Sequence, residues 1–190
     1  MVADAPPLDE WLAALGLEVV GGAETTDGAL TRDVVLDGER RFDLRTTVAW
    51  IDGVGLSAWA YYGLEQMEIP KRVMAAFLRA NYEYPFVKFA LTDDDRPMLL
   101  VELPPSGCDQ DALGRALTEI ALVADRMLDE TAPAIADRGV LPDWSGRLPR
   151  NTALLKAYRA EVESMLPPLP PAPDRPTPAK AGARRGGRSR

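Results

Sequence analysis

Apolar residues recur along this chain at two spacings, and each spacing predicts a different kind of element. Leu8, Trp11, Leu12 and Leu15 stand at i, i+3, i+4 and i+7, the single stripe of a short helix. Pro6-Pro7 open it, since proline costs little in a first turn, and Gly16 stands where a helix stop belongs. Leu17 to Val20, closed by Gly21-Gly22, fits neither period; an extended conformation is one reading of it. Three alternating runs follow, Leu30 to Leu36, Arg41 to Ile51 and Val54 to Tyr62, separated by Asp37-Gly38 and Asp52-Gly53. Asp-Gly between such runs predicts hairpins, because both residues tolerate a positive φ. In the middle run Phe42, Leu44, Val48 and Trp50 share one face, and Asp43, Arg45 and Thr47 the other. The pattern is that of an antiparallel meander.

The helical period returns after Pro70, where Val73, Met74, Phe77 and Leu78 share a face, and must end before Pro85. Phe86 to Leu91 and Met98 to Leu103 predict two more strands. Pro104-Pro105-Ser106-Gly107 then breaks the chain, and Asp109 or Ser106 can cap the strongest helix. Its stripe runs Leu113, Ala116, Leu117, Ile120, Ala124, Met127 and Leu128. Beyond Pro133, residues Gly139 to Arg150 read as a linker or surface arm. Asn151 can cap a last helix striped by Leu155, Tyr158, Val162 and Met165. Seven of the twelve residues from Pro167 to Pro178 are proline, so that segment is expected to be extended or disordered. The expectation is an α+β fold with an antiparallel sheet of about five strands in the order α-β-β-β-α-β-β-α, plus a C-terminal arm and helix. The expected divisions are 1–132 for the α+β domain, 133–166 for the arm and helix, and 167–190 for the Pro-rich, basic tail.

Composition narrows the chemistry. A chain of 190 residues suits one core with extensions. Met1 to Leu12 lacks the pattern of a signal peptide, no 18 apolar residues run together, and Cys108 is the one cysteine. These features predict a cytoplasmic protein with no membrane contact. There is no histidine, which removes the Ser-His-Asp triad, the Cys-His pair and most zinc sites. No cofactor, no metal and no enzymatic activity are expected. The net charge of −7 is uneven: six cations and no acid follow Asp174, so residues 1–174 carry −13. An acidic body suits a basic protein partner. Arg184, Arg185, Arg188 and Arg190 could instead hold nucleic-acid phosphates.

Four motifs have bland readings that outweigh the sharp ones. Gly53-Val54-Gly55-Leu56-Ser57-Ala58 matches a dinucleotide fingerprint, but aromatic strand formers follow where a helix should start, so a hairpin turn is expected. Asp93-Asp94-Asp95 suggests calcium, yet an EF-hand would place Gly and Glu where Met98 and Pro104 stand. Cys108 lies near a helix N-terminus but has no base to activate it. The P-x-x-P spacing from Pro167 to Pro171 reads as a spacer. Trp50, Trp59 and Tyr61 differ from these: alternation sets Trp59 and Tyr61 opposite Ala58 and Ala60, so one sheet face carries aromatic groups that a protein partner could bind.

The stretch Asn81-Tyr-Glu-Tyr-Pro85-Phe-Val-Lys-Phe-Ala-Leu91-Thr-Asp-Asp, followed by Leu99-Leu-Val-Glu-Leu-Pro104, resembles the YbjN-like family of bacterial proteins. The element order around it, from about Leu8 to Glu130, is similar to that of type III secretion chaperones. Asp95 departs from the resemblance, standing where such hairpins often carry glycine, and nothing after Pro133 has a counterpart in it. The resemblance implies a non-catalytic homodimer whose sheet and helices receive a segment of a client protein. For the dimer contact, the apolar stripes suggest Leu113, Leu117, Ile120 and Ala124 on the long helix, or Leu155 to Met165.

Overall fold

A computed structural model describes residues 5–24, 29–63, 68–136 and 139–168. The short N-terminal helix α1 (Leu8–Ala14) ends as its glycine dictates. Gly16 adopts φ +73°, its N–H reaches the Ala13 carbonyl, and the Leu17 N–H reaches that of Leu12. These two bonds are the Schellman closure that satisfies the last helical carbonyls. The ambiguous segment after it becomes β1 (Val19–Glu24), a sixth strand beyond the five expected. It was hard to read because all six residues are exposed, so no burial alternation marks it.

The sheet continues with β2 (Leu30–Leu36), β3 (Leu44–Ile51) and β4 (Gly55–Tyr61). After α2 (Lys71–Glu83) come β5 (Lys88–Leu91) and β6 (Pro97–Leu103). The spatial order is β1-β2-β3-β4-β6-β5, with every pairing antiparallel. Asp52-Gly53 makes a tight turn in which Gly53 alone takes a positive φ, and the fingerprint glycines are thus turn and strand start. Asp37-Gly38 does not make such a hairpin. A loop from Asp37 to Asp43 joins β2 to β3 instead, because the Asp37 and Asp125 carboxylates organise it. The acidic run ends in Asp95 at φ +61°, a conformation in which its small polar side chain is tolerated.

The core lies on one side of the sheet. Leu44, Val48 and Trp50 of β3, Leu56, Ala58 and Ala60 of β4, and Leu99 and Val101 of β6 all point into it. Helix α3 (Gln110–Arg126), capped by Asp109 through a 2.7 Å bond from the Ala112 N–H, crosses β4 and β6. Helix α4 (Leu128–Ile135) follows at once, with Pro133 inside it, and α5 (Thr152–Met165) packs on α3. On α2 the buried side is Val73, Ala76, Phe77 and Ala80, while Leu78 faces solvent, contrary to its place in the expected stripe.

Two buried carboxylates tie distant segments together. Asp125 at the end of α3 accepts the backbone N–H groups of Glu39 (2.6 Å), Arg40 (3.0 Å) and Arg41 (2.6 Å). Gly38 is required beside it, since a Cβ there would lie 2.3 Å from the carboxylate. Asp37, fully buried, accepts from the Arg150 guanidinium at 2.7 and 2.8 Å and from the Arg150 and Asp43 N–H groups. The Asn151 side chain accepts the Asp37 N–H at 2.7 Å rather than capping α5 as expected. Arg147 and Arg150 also grip Asp43 and hold its carboxyl down at about 2. The segment read as a surface arm is therefore clipped to the β2–β3 loop.

Replacing Asp125 with alanine leaves three part-buried N–H groups without an acceptor. The expected loss is about 3 kcal/mol, from the lower end of a cost of roughly 1–3 kcal/mol per orphaned group. At this chain length that lowers the melting temperature by about 6–12 °C, readable by calorimetry. A melting temperature within 1 °C or so of wild type would contradict the role given to Asp125.

Candidate functional site

Side chains alternate across a strand, so the residues between the core positions face the opposite way. Across β3, β4, β6 and β5 the register sets Thr47, Trp59, Leu100 and Lys88 in one row. In the next row Tyr61 stands opposite Met98, and Met98 opposite Ala90. Trp59, Tyr61, Met98 and Leu100 are all partly exposed, and among the described residues the helices gather on the other side. The result is an aromatic and aliphatic strip along the middle of an open sheet face. At one corner the Arg96 guanidinium lies 4.4 Å from the Tyr61 ring centre, with its Nε donating to the Gly63 carbonyl at 2.9 Å. Beside it a depression of about 720 Å³ is lined by Val20, Val35, Arg45, Thr47 and Tyr61, among others. The Thr47 hydroxyl donates to Asp33 at 2.7 Å.

Such a surface offers area to bury and a cation held against a ring, and the Thr47–Asp33 bond joins residues directly opposite on β2 and β3. Among the described residues no cluster of three metal-ligating side chains occurs. Cys108 is half-buried, and burial, with Asp109 beside it, pushes its thiol up rather than towards the reactive thiolate.

The residues singled out in the sequence fall in three places. Trp59 and Tyr61 lie on the open face. Trp50 does not: it is 3% exposed and packs in the core, because alternation sends it the same way as Val48. Leu113, Leu117, Ile120 and Ala124 are each 0% exposed within this chain. Their stripe packs against the chain's own core, which leaves no surface for a second copy. The last helix is committed in part: Leu155 and Val162 are buried where α5 packs along α3, while Met165 at its end stays 41% exposed. Arg184, Arg185, Arg188 and Arg190 lie outside the described residues.

Met98 and Leu100 escaped notice because the run Met98 to Val101 is apolar at every position. A continuous apolar run is normal for a strand covered on both faces. On a sheet covered on one face it signals an apolar open side, and that was the readable clue.

A family model described as "putative bacterial sensory transduction regulator" matches residues 8–132. The chain belongs to the YbjN family. No curated protein and no solved structure matches it. In this YbjN chain the matched span takes in the whole sheet, α1 to α3 and most of α4, so the open face lies entirely within the family region. The clipped arm and α5 come after it. The family description is that of a regulator and names no reaction. No described helix is long and apolar enough to cross a membrane.

The two faces predict different costs for the same change. Trp50→Ala in the core should lose about 3–5 kcal/mol, whereas Trp59→Ala on the open face should lose about 1 kcal/mol. Denaturant unfolding of both variants checks this, and equal losses would mean that the outer face is covered.

Proposed function

We propose that this YbjN chain is a non-catalytic chaperone-like or adaptor protein that binds a protein client on the open face of its sheet. The observation that carries the reading is the strip of Trp59, Tyr61, Met98 and Leu100, left partly exposed at the centre of the sheet. Contiguous apolar surface of this kind costs solubility and is normally kept for a partner. Aromatic anchors beside a held arginine are also the residue types that dominate binding energy at interfaces. A charge of −13 over residues 1–174 favours a basic client and speeds its approach. The family description as a regulator agrees with action through a partner.

A homodimer belongs to the same reading. With the α3 stripe and most of the α5 stripe spent inside the chain, its contact falls on β1, one of the two edge strands, where Val20 is 61% exposed. The test is affinity capture by the full-length chain from nuclease-treated native lysate, set beside a Trp59→Ser/Leu100→Ser variant of matched melting temperature. The wild type should retain a client that the variant loses at least tenfold, and light scattering should give twice the 20.7 kDa chain mass. Equal retention would overturn the open face as the binding surface, and a monomer mass would end the dimer. Capture that vanishes with nuclease would move the reading to nucleic acid held by Arg184, Arg185, Arg188 and Arg190.

A further inference from the structure

Strand β6 outruns its neighbour on one side. It pairs with β4 as far as Leu103, but β5 pairs with it only from Pro97 to Leu100. From Val101 to Leu103 one edge of β6 therefore has no strand beside it among the described residues. The chain leading into β5 runs past Glu119 on α3 here, where the backbone of Phe86 and Val87 lies close enough to favour the charged carboxylate against the burial that pushes its pKa up. Between the two lies a cleft of about 500 Å³, walled by Phe86, Leu103, Ala112, Ala116 and Met165. That volume is in the ordinary range for a binding pocket.

Glu119 lines this cleft at 4% exposure, and its Oε1 has no hydrogen-bond partner. A buried carboxylate oxygen left in this way is rare and calls for a donor. Lys88 favours the charged carboxylate from a distance, but the hydrogen bonds of the nearby cations go to other partners. The Lys88 ammonium donates to the Asn81 carbonyl at 2.9 Å and the Tyr84 carbonyl at 2.6 Å, and Arg115 faces Glu161 at 3.7 Å. The unmet demand of the cleft is thus for main-chain groups along β6 and for one cationic donor at Glu119.

We infer that the cleft receives an extended segment of a partner protein, added as a strand beside Val101–Leu103 in line with β5, with a lysine or arginine donating to Glu119 Oε1. This rests on the reading that the chain binds a protein, and it names a second surface and the chemistry that the surface selects. Strand addition satisfies the free edge, and side chains at alternate positions give the selectivity. Phe86 and Met165, 59% and 41% exposed, supply apolar contacts for the residues flanking the cation. The acidic body favours a basic segment over an acidic one.

The test selects a phage-displayed library of random nine-residue peptides on the full-length chain, then maps a synthetic copy of the enriched peptide by hydrogen exchange. Enriched peptides should carry lysine or arginine at one fixed position within an alternating apolar pattern. The bound peptide should protect those amides between Val101 and Leu103 that point away from β4. Glu119→Gln should weaken it about tenfold, and Ala112→Arg, at a partly exposed helix position that leaves the fold intact, should abolish binding. An unpatterned selection, or protection that leaves Val101–Leu103 unchanged, overturns the inference. Peptides that protect β3 and β4 instead overturn it while leaving the open-face reading standing. Protection of Val101–Leu103 together with client capture that ignores Trp59 and Leu100 has the opposite meaning.

Discussion

Helix α3 has no free side, and the rest of the molecule is arranged around that constraint. Between Leu113 and Asp125 only Arg115 escapes burial, so neither the sheet alone nor α5 alone could cover it. The sheet takes Leu113, Leu117, Ile120 and Ala124. The other side is closed by α5, whose Tyr158 ring sits so close to Gly114 that a Cβ there would come within 2.5 Å. The Tyr158 hydroxyl donates to Asp111 at 2.7 Å, fixing the two helices at one end. A helix covered in this way buries nearly all its apolar area, the dominant favourable term in folding. It also explains why the chain needs residues beyond the family region: without α5, the back of α3 would be exposed.

That arrangement determines what is left over. With α1 to α4 on one face of the sheet and α5 stacked behind α3, the other face has no helical layer among the described residues. The Asp37–Arg150 and Asp125 clips hold the arm and the β2–β3 loop at the sheet's end, so these segments do not reach over the strip at its centre. A six-stranded antiparallel sheet tolerates one solvated face, but that face is then normally polar. Here it carries Trp59, Tyr61, Met98 and Leu100. Fold and function meet in this mismatch between an open position and an apolar content.

Much of the fold was legible because its signals are local. Gly16 stops α1, Asp109 caps α3, Pro85 limits α2, and the alternation in Arg41 to Ile51 assigns each side chain of β3 to its face. The resemblance carried by Asn81 to Pro104 pointed to the right family. What failed was non-local. Asp37-Gly38 has the composition of a hairpin, but Asp37 is recruited by Arg150, 113 residues away. Asn151 has the chemistry of a cap, yet its oxygen serves a strand-end N–H. The stripes of α3 and α5 looked like spare surface because the sequence does not say that the first lies on the sheet and that most of the second packs against the back of α3. Trp50 and Trp59 look alike in composition; only the register of the sheet separates the core tryptophan from the partly exposed one.

The central claim is that the open sheet face is a protein-binding surface. It is tested most directly by placing a photo-crosslinking amino acid at Trp59 in the full-length chain, with a control at exposed Leu78 on α2. Irradiation in the native cell should join a discrete protein to position 59 and none to position 78. A position 59 that gives no adduct, or the same adducts as position 78, would contradict the account.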